Sequence, residues 1–184
     1  MIDLLDAIVL TIKAANNQIS GRTAIQKLLY FESIAGVIEA KYRPYYYGPY
    51  SSELMGTIES AVKLNFIDEN LDVFNGKMDA DSVEWKRYVY SLTEDGKELA
   101  EQLIKEHEPD YEKINCIVNT CKKISDLDVN TLSYAAKIHY ILSSKKKPMM
   151  INEITEMASS FGWKLSKPKV EKAIGLLQAL NLCT

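Results

Sequence analysis

The sequence predicts a mainly helical chain of the α+β class, with a two-stranded ribbon set between groups of helices. Three observations predict it. Apolar residues recur three and four apart through most of the chain, the spacing of an amphipathic helix. From Trp85 to Leu92 that period gives way to alternation. Trp85, Arg87, Val89 and Ser91 fall on one side, and Lys86, Tyr88, Tyr90 and Leu92 on the other, which is the pattern of a strand. The stretch before it, 75–84, is polar and without period, as a loop between strands would be.

Leu5, Ile8, Val9 and Ile12 stripe a first helix within 2–16, closed by Asn16, Asn17 and Gly21. Thr23 to Ile38 is apolar on most faces, so this helix belongs in the middle of its domain. Arg22, Gln26 and Lys27 mark its polar start. The stretch Arg43–Leu54 crowds Tyr45, Tyr46, Tyr47 and Tyr50 around Gly48-Pro49. It reads as strand, tight turn, helix: tyrosines favour extended backbone, Gly-Pro breaks it, and Ser51 or Ser52 caps the helix. Glu53 places a carboxylate in that helix's first turn, and Leu54, Ile58, Ala61 and Val62 form its apolar face. Residues 65–68 begin a short strand. Beyond the second strand, Thr93 caps a helix led by Glu94 and Asp95, and Gly96 permits close approach of the helix start to the core. Three helices followed by two strands around a polar loop is the order of a winged helix. Residues 1–108 therefore read as a winged-helix-like domain with a two-stranded wing.

Residues 109–184 read as a helical extension. Tyr111–Ile124 and Thr131–Leu142 are amphipathic helices joined at Asp126-Leu127-Asp128, and Lys145, Lys146, Lys147 and Pro148 form a basic loop after them. From Met149 the tail resembles a second small helix-turn-helix. Asn152 caps a helix closed by Gly162, and Ser166 with Pro168 starts another.

Of 184 residues, 47% are hydrophobic and 26% charged, which fits a soluble globular protein. No uncharged apolar run approaches the ~18 residues of a membrane span. The opening Met-Ile-Asp-Leu-Leu-Asp carries acids where a signal peptide needs basic residues, so a cytoplasmic protein is expected. Cys116 and Cys121 lie about 140° apart on one helix, and with Cys183, His107 and His139 they show no zinc spacing. No cofactor or metal is expected. A phosphate-binding glycine loop and a nucleophile elbow are both missing, so an enzyme is not expected. The net charge of −3 hides an asymmetry. Residues 1–108 hold 11 Lys+Arg against 18 Asp+Glu, and 109–184 hold 11 Lys against 7 acids. An anionic polymer would prefer the second half.

Two motifs carry a family likeness. Gly21-Arg22-Thr23-Ala24-Ile25-Gln26-Lys27-Leu28-Leu29-Tyr30, followed by Tyr45-Tyr46-Tyr47-Gly48-Pro49-Tyr50-Ser51-Ser52-Glu53-Leu54, resembles the YwgA-type family. A similar Gln-Lys-Leu pattern with a Gly-Pro-Tyr-Ser turn occurs in the Panacea antitoxin domain, a more distant likeness. With Leu92–Leu99 the resemblance spans residues 5–105. It implies a winged-helix-like fold without known catalytic chemistry. Panacea domains neutralise toxin proteins by contact, so a protein-binding role is implied as well. The helical tail lies beyond the shared part.

Two sets of candidate site residues emerge. The tyrosines can stack bases or anchor a partner protein, or else pack on the core with hydroxyls outward. Gln26, Lys27 and Tyr30 line a groove beside the turn or form a solvated first turn. The candidate partner-binding set is Gln26, Lys27, Tyr30, Tyr45, Tyr47, Tyr50 and Glu53. The helix that a winged helix would lay in the major groove exposes Glu53, Thr57, Glu59, Ser60 and Lys63, and the wing carries Asp72, Asp79, Asp81 and Glu84 against Lys77. Those charges repel phosphate. Candidate nucleic-acid contacts are instead Lys145, Lys146, Lys147, Lys164, Lys167, Lys169 and Lys172, where a helix start adds backbone N–H groups. The sequence thus leads to a non-catalytic winged-helix regulator binding DNA through its basic tail, as a homodimer paired through 109–142. The alternative is an antitoxin-type protein-interaction module.

Overall fold

The computed structural model describes residues 1–78, 81–145 and 149–181. Its elements in order are α1 (Leu4–Ala14), β1 (Gln18–Ser20), α2 (Arg22–Ile34), β2 (Arg43–Tyr45), β3 (Gly48–Tyr50), α3 (Ser52–Lys63), β4 (Ile67–Met78), β5 (Asp81–Leu92), α4 (Glu94–Glu106), α5 (Glu108–Ser125), α6 (Val129–Lys145), α7 (Ile151–Ser160) and α8 (Lys167–Ala179). The chain is mainly helical, with a three-stranded antiparallel sheet ordered β1-β5-β4 and a separate β2-β3 hairpin. Among the described residues, no helix is long and apolar enough to cross a membrane.

The central strand β5 pairs Tyr90 with Ile19 of β1 and with Glu69 of β4. The polar stretch expected as a loop, 75–84, is strand at 75–78 and again at 81–84. Backbone pairing does not by itself demand an alternating sequence, so in a polar stretch it leaves no periodic trace. β1 is equally hidden, because three residues are too few to show a period.

Helix α2 forms because Ala24 to Phe31 is a run dominated by good helix formers, and it stops early because Gly36 turns left-handed at φ +73°. Val37 and Ile38, expected inside the helix, are buried beyond its end. Helices α1, α5 and α6 all pack on α2. Its buried side chains join one hydrophobic core that continues into the carboxyl-terminal helices through Val118, Leu132, Ile138 and Leu177. That core crosses the expected division at residue 108. Within 109–142, Ile114, Ile117, Val118 and Cys121 are buried inside the chain itself.

At the start of α4, a Cβ on Gly96 would lie 2.0 Å from the Phe66 carbonyl oxygen, so only glycine fits there. Thr93 caps this helix by accepting from the Gly96 N–H at 3.0 Å. In the tail the expected cap is displaced. The Met150 N–H donates to Glu153 at 2.7 Å, which starts α7 at Ile151 and puts Asn152 inside its first turn.

Glu32 is the one acid of α2, and it is completely buried. Thr11 Oγ1 lies 2.6 Å from the Ala7 carbonyl oxygen and 2.9 and 3.0 Å from the two Glu32 oxygens. A hydroxyl has a single hydrogen to give. The Thr11 hydroxyl donates it to the Ala7 carbonyl and to the Glu32 carboxyl in a shared bond, so Glu32 receives only part of one hydrogen bond in a buried place. Burial pushes its pKa up to about 8, against the smaller opposing effect of the Thr11 hydrogen bond. A group whose folded pKa is raised favours the folded state fully below the unfolded value, near 4.5, and loses that contribution as pH rises through 8. Stability of the wild type should therefore fall from pH 5 to pH 8 by an amount on the order of a few kcal/mol. Glu32→Gln keeps an acceptor for Thr11, removes the titrating group and should flatten this profile; equal pH slopes for the two proteins in thermal melts would refute a raised Glu32 pKa.

Candidate functional site

The hairpin β2–β3 is short and unusual in composition. Its register pairs Arg43 with Tyr50, Pro44 with Pro49 and Tyr45 with Gly48. The tight turn therefore falls at Tyr46-Tyr47, two residues ahead of the Gly48-Pro49 position where it was expected. Gly48 takes φ +100°, which lets the chain leave the turn against α6, where a Cβ would sit 3.1 Å from Lys137 Cγ. The paired prolines lack N–H groups, so neither edge of the hairpin offers a continuous ladder to another strand.

Three buried side chains pin this hairpin to the body. Gln26 donates from Nε2 to the Ser51 carbonyl at 2.9 Å and accepts the Ser51 N–H at 3.1 Å, so its amide takes the place of a neighbouring strand. Lys27 donates from Nζ to the Pro49 carbonyl at 2.6 Å. Trp163, in the α7–α8 connection, donates its indole N–H to the Tyr45 carbonyl at 2.7 Å across 118 residues of sequence. Gln26 and Lys27 are each only 2% exposed, which overturns the reading of a solvated first turn. The polar face at the start of α2 is there as expected, but the hairpin covers it.

The result is a platform on which tyrosines stand outward. Tyr45, Tyr46 and Tyr47 are 64%, 73% and 53% exposed. They do not pack on the core, because the turn projects all three past it. Tyr46 and Tyr47 meet edge to face at 4.8 Å, and Tyr45 lies 5.3 Å from Tyr50. Between the hairpin and α2 opens a cleft of about 340 Å³. From α2 it receives Arg22, Thr23, Gln26 and Lys27, from the hairpin Tyr45, Tyr47 and Tyr50, and from α3 Met55. Burial, and then the nearby charge of Lys137, lower the Lys27 pKa to about 7.

Five of the seven expected partner-binding residues are thus brought together: Gln26, Lys27, Tyr45, Tyr47 and Tyr50. Glu53 lies on the opposite side of the hairpin, in a second cleft of about 440 Å³ shared with Tyr45 and Tyr50. Tyr30 is not at the surface. It is 5% exposed, one turn further along α2, with its hydroxyl 3.1 Å from His139 Nδ1. Sequence reasoning missed Arg22, Met55, Lys137 and Trp163, and for Trp163 no local signal existed.

The basic residues lie elsewhere on the surface. Lys164, Lys167, Lys169 and Lys172 are exposed around the start of α8, whose Ser166 cap makes no side-chain hydrogen bond. Lys145 is exposed at the end of α6, while Lys146 and Lys147 lie outside the described residues. Lys169 sits 3.4 Å from the Tyr134 hydroxyl. On α3, Glu53, Glu59, Ser60 and Lys63 are exposed and Thr57 is half-buried. Among the described residues, no group of three or more His, Cys, Asp or Glu is placed to hold a metal ion. Cys116 is exposed and Cys121 buried, and burial raises the Cys121 thiol to about 12.

No protein-family model matches this chain, and no curated protein matches it.

Replacing Gln26 by Leu would strand the Ser51 N–H and carbonyl in a buried place. Each such group costs about 1–3 kcal/mol, so the variant should lose about 3 kcal/mol in denaturant melts. In a Trp85→Phe background the remaining tryptophan, Trp163, should shift its emission to the red as the hairpin loosens. An unchanged melt and spectrum would show that Gln26 does not hold the hairpin.

Proposed function

We propose that this protein is a non-catalytic interaction module of winged-helix type that grips a partner protein with the tyrosine hairpin 43–50. The order α1, β1, α2, α3, β4, β5, interrupted between α2 and α3 by the β2–β3 hairpin, with the sheet ordered β1-β5-β4, supports the winged-helix reading. The observation that carries the functional reading is the exposure of Tyr45, Tyr46 and Tyr47 on a backbone pinned from behind. Exposed tyrosines cost little side-chain entropy to fix, and buried Gln26, Lys27 and Trp163 hold that backbone in place. Because prolines interrupt both hairpin edges, the grip comes from side chains rather than from added strand pairing. The acidic outward residues of α3 disfavour the usual winged-helix route into DNA.

Affinity capture with the full chain tests this. A protein retained in stoichiometric amount by wild type should be lost at least tenfold on Tyr46→Ala/Tyr47→Ala, since aromatic anchors contribute about 2 kcal/mol or more each. Both residues are exposed, so the melting temperature should not move. Identical capture by both forms would sink the proposal.

A second reading has its own observation, the four exposed lysines at the start of α8. They suit phosphate contacts, and with no arginine in 109–184 bidentate guanine recognition by arginine is absent, so binding there would be weakly sequence-specific. Four contacted phosphates give a log–log salt slope of about −3.6 for a random duplex. The slope should vanish in a Lys164/Lys167/Lys169/Lys172→Glu variant. Absence of duplex binding by wild type at low salt would remove this reading.

A further inference from the structure

The cleft between α2 and the hairpin is cationic within the acid-rich half of the chain. Its lining holds Arg22 and Lys27 and no carboxylate among the described residues. The two cations differ in what already meets them. Arg22 donates from Nε to the Tyr90 hydroxyl at 3.1 Å, reaches Glu69 at 3.4 Å and stacks over the Tyr88 ring at 3.6 Å. Its charge is thus already answered by an acid. Lys27 has the Pro49 carbonyl, which uses one of three ammonium hydrogens, and the charge that acts on it is a second cation, Lys137. Lys137 in turn faces the rings of Tyr134 and Trp163, at 5.8 and 5.5 Å. A buried cation facing an open cleft without an acid is an electrostatic deficit that a ligand can fill.

We propose that this cleft receives one carboxylate from the partner protein, an Asp or Glu side chain or a chain terminus, which meets the Lys27 ammonium while its apolar stem lies among Tyr45, Tyr47 and Tyr50. The inference rests on the interaction reading above and specifies what the partner brings. Lys137 is absent from the cleft lining, so within it Lys27 is the one ammonium among the described residues, which matches a monoanion. A phosphate dianion would call for a second available cation, and Arg22 is engaged by Tyr90 and Glu69. A purely apolar insert would leave the ammonium both dry and unpaired.

The proposal makes binding sensitive to pH with a defined sign. Lys27 shares the cleft lining with Arg22 and Gln26 of its own helix and with Tyr45, Tyr47 and Tyr50 of the hairpin, bonds the Pro49 carbonyl, and feels the charge of Lys137 on α6. The unliganded lysine titrates near 7, and a bound carboxylate raises that value, so above pH 7 binding takes up a proton. Affinity should then weaken about tenfold per pH unit above 7. Lys137, also lowered by burial, acts in the same direction.

The test is an amide NMR titration of the full chain with three capped peptides: Ac-Gly-Ala-Glu-Ala-Gly-NH2, its glutamine analogue and its phosphoserine analogue. At pH 6.5 the Glu peptide should give saturable shifts at Gln26, Tyr47 and Tyr50, with the Gln peptide at least tenfold weaker. At pH 8.5 the Glu peptide should bind about 30-fold more weakly. Thr23→Tyr, at the half-exposed edge of the cleft, should abolish these shifts while leaving the hairpin's hydrogen bonds in place, and Lys27→Met should abolish them too. Equal binding of the Glu and Gln peptides, tighter phosphoserine binding, or no shift at either pH overturns the proposal. If Lys27→Met fails to fold, the peptide and pH arms on wild type still decide. Full partner capture by Lys27→Met alongside loss by the tyrosine variant would leave the interaction reading standing and remove the carboxylate.

Discussion

The reciprocal pair between the Gln26 amide and the Ser51 backbone fixes how the hairpin meets the helical body. A side-chain amide has the same donor and acceptor as a peptide group, so it can stand where another strand would. Once Ser51 is held, its side chain is placed to cap α3 by accepting from the Leu54 N–H at 3.3 Å. The same contact sets the end of β3, and through the Pro44–Pro49 pairing it sets β2 and the turn. Lys27 repeats the device one residue on, using the Pro49 carbonyl. A helix that looks nearly featureless in sequence therefore organises the most exposed segment of the chain.

That arrangement explains why two polar residues are tolerated inside the core helix. Burying an amide costs several kcal/mol when unpaired and almost nothing when both its groups are matched. Gln26 is matched on both sides. Lys27 is not, and its lowered pKa is the electrostatic record of that difference. Glu32, further along the same helix, solves the same problem by holding a proton. Three polar side chains on one buried helix thus show three outcomes: pairing, partial pairing and neutralisation. The partly paired one borders open space, and its ammonium still has hydrogens to give.

Much of the fold was legible in sequence because long amphipathic helices announce themselves by period. All the expected helical segments formed, with ends moved by one to four residues, as Gly36 and Met150 show. The Thr93 cap and the need for glycine at 96 were legible too, since each follows from a residue type with few alternatives. The site was legible in part. The tyrosine-rich turn drew attention by composition, but whether its rings faced inward depended on where α2 and α6 pressed against it. Gln26 and Lys27 looked like a solvated turn because nothing local reveals that a hairpin 22 to 25 residues away will cover them. Trp163 is the limiting case: its contact with Tyr45 joins the tail to the first motif, and no spacing rule spans 118 residues.

The Trp163 contact also bears on how the two surfaces relate. Its indole lies stacked on Phe161 at 4.9 Å and next to Lys164, the first of the exposed basic cluster. The hairpin and the start of α8 are therefore tied to the same short connection between α7 and α8. Displacement of that connection would move the Tyr45 carbonyl and the lysines together, because the indole hydrogen bond and the ring stack share one side chain. Lys137 sits under this junction, facing both the Trp163 ring and Gly48. Lys137 therefore touches both the hairpin and the connection that carries Trp163. One buried side chain, Trp163, thus links the hairpin backbone to the segment that leads into the basic start of α8.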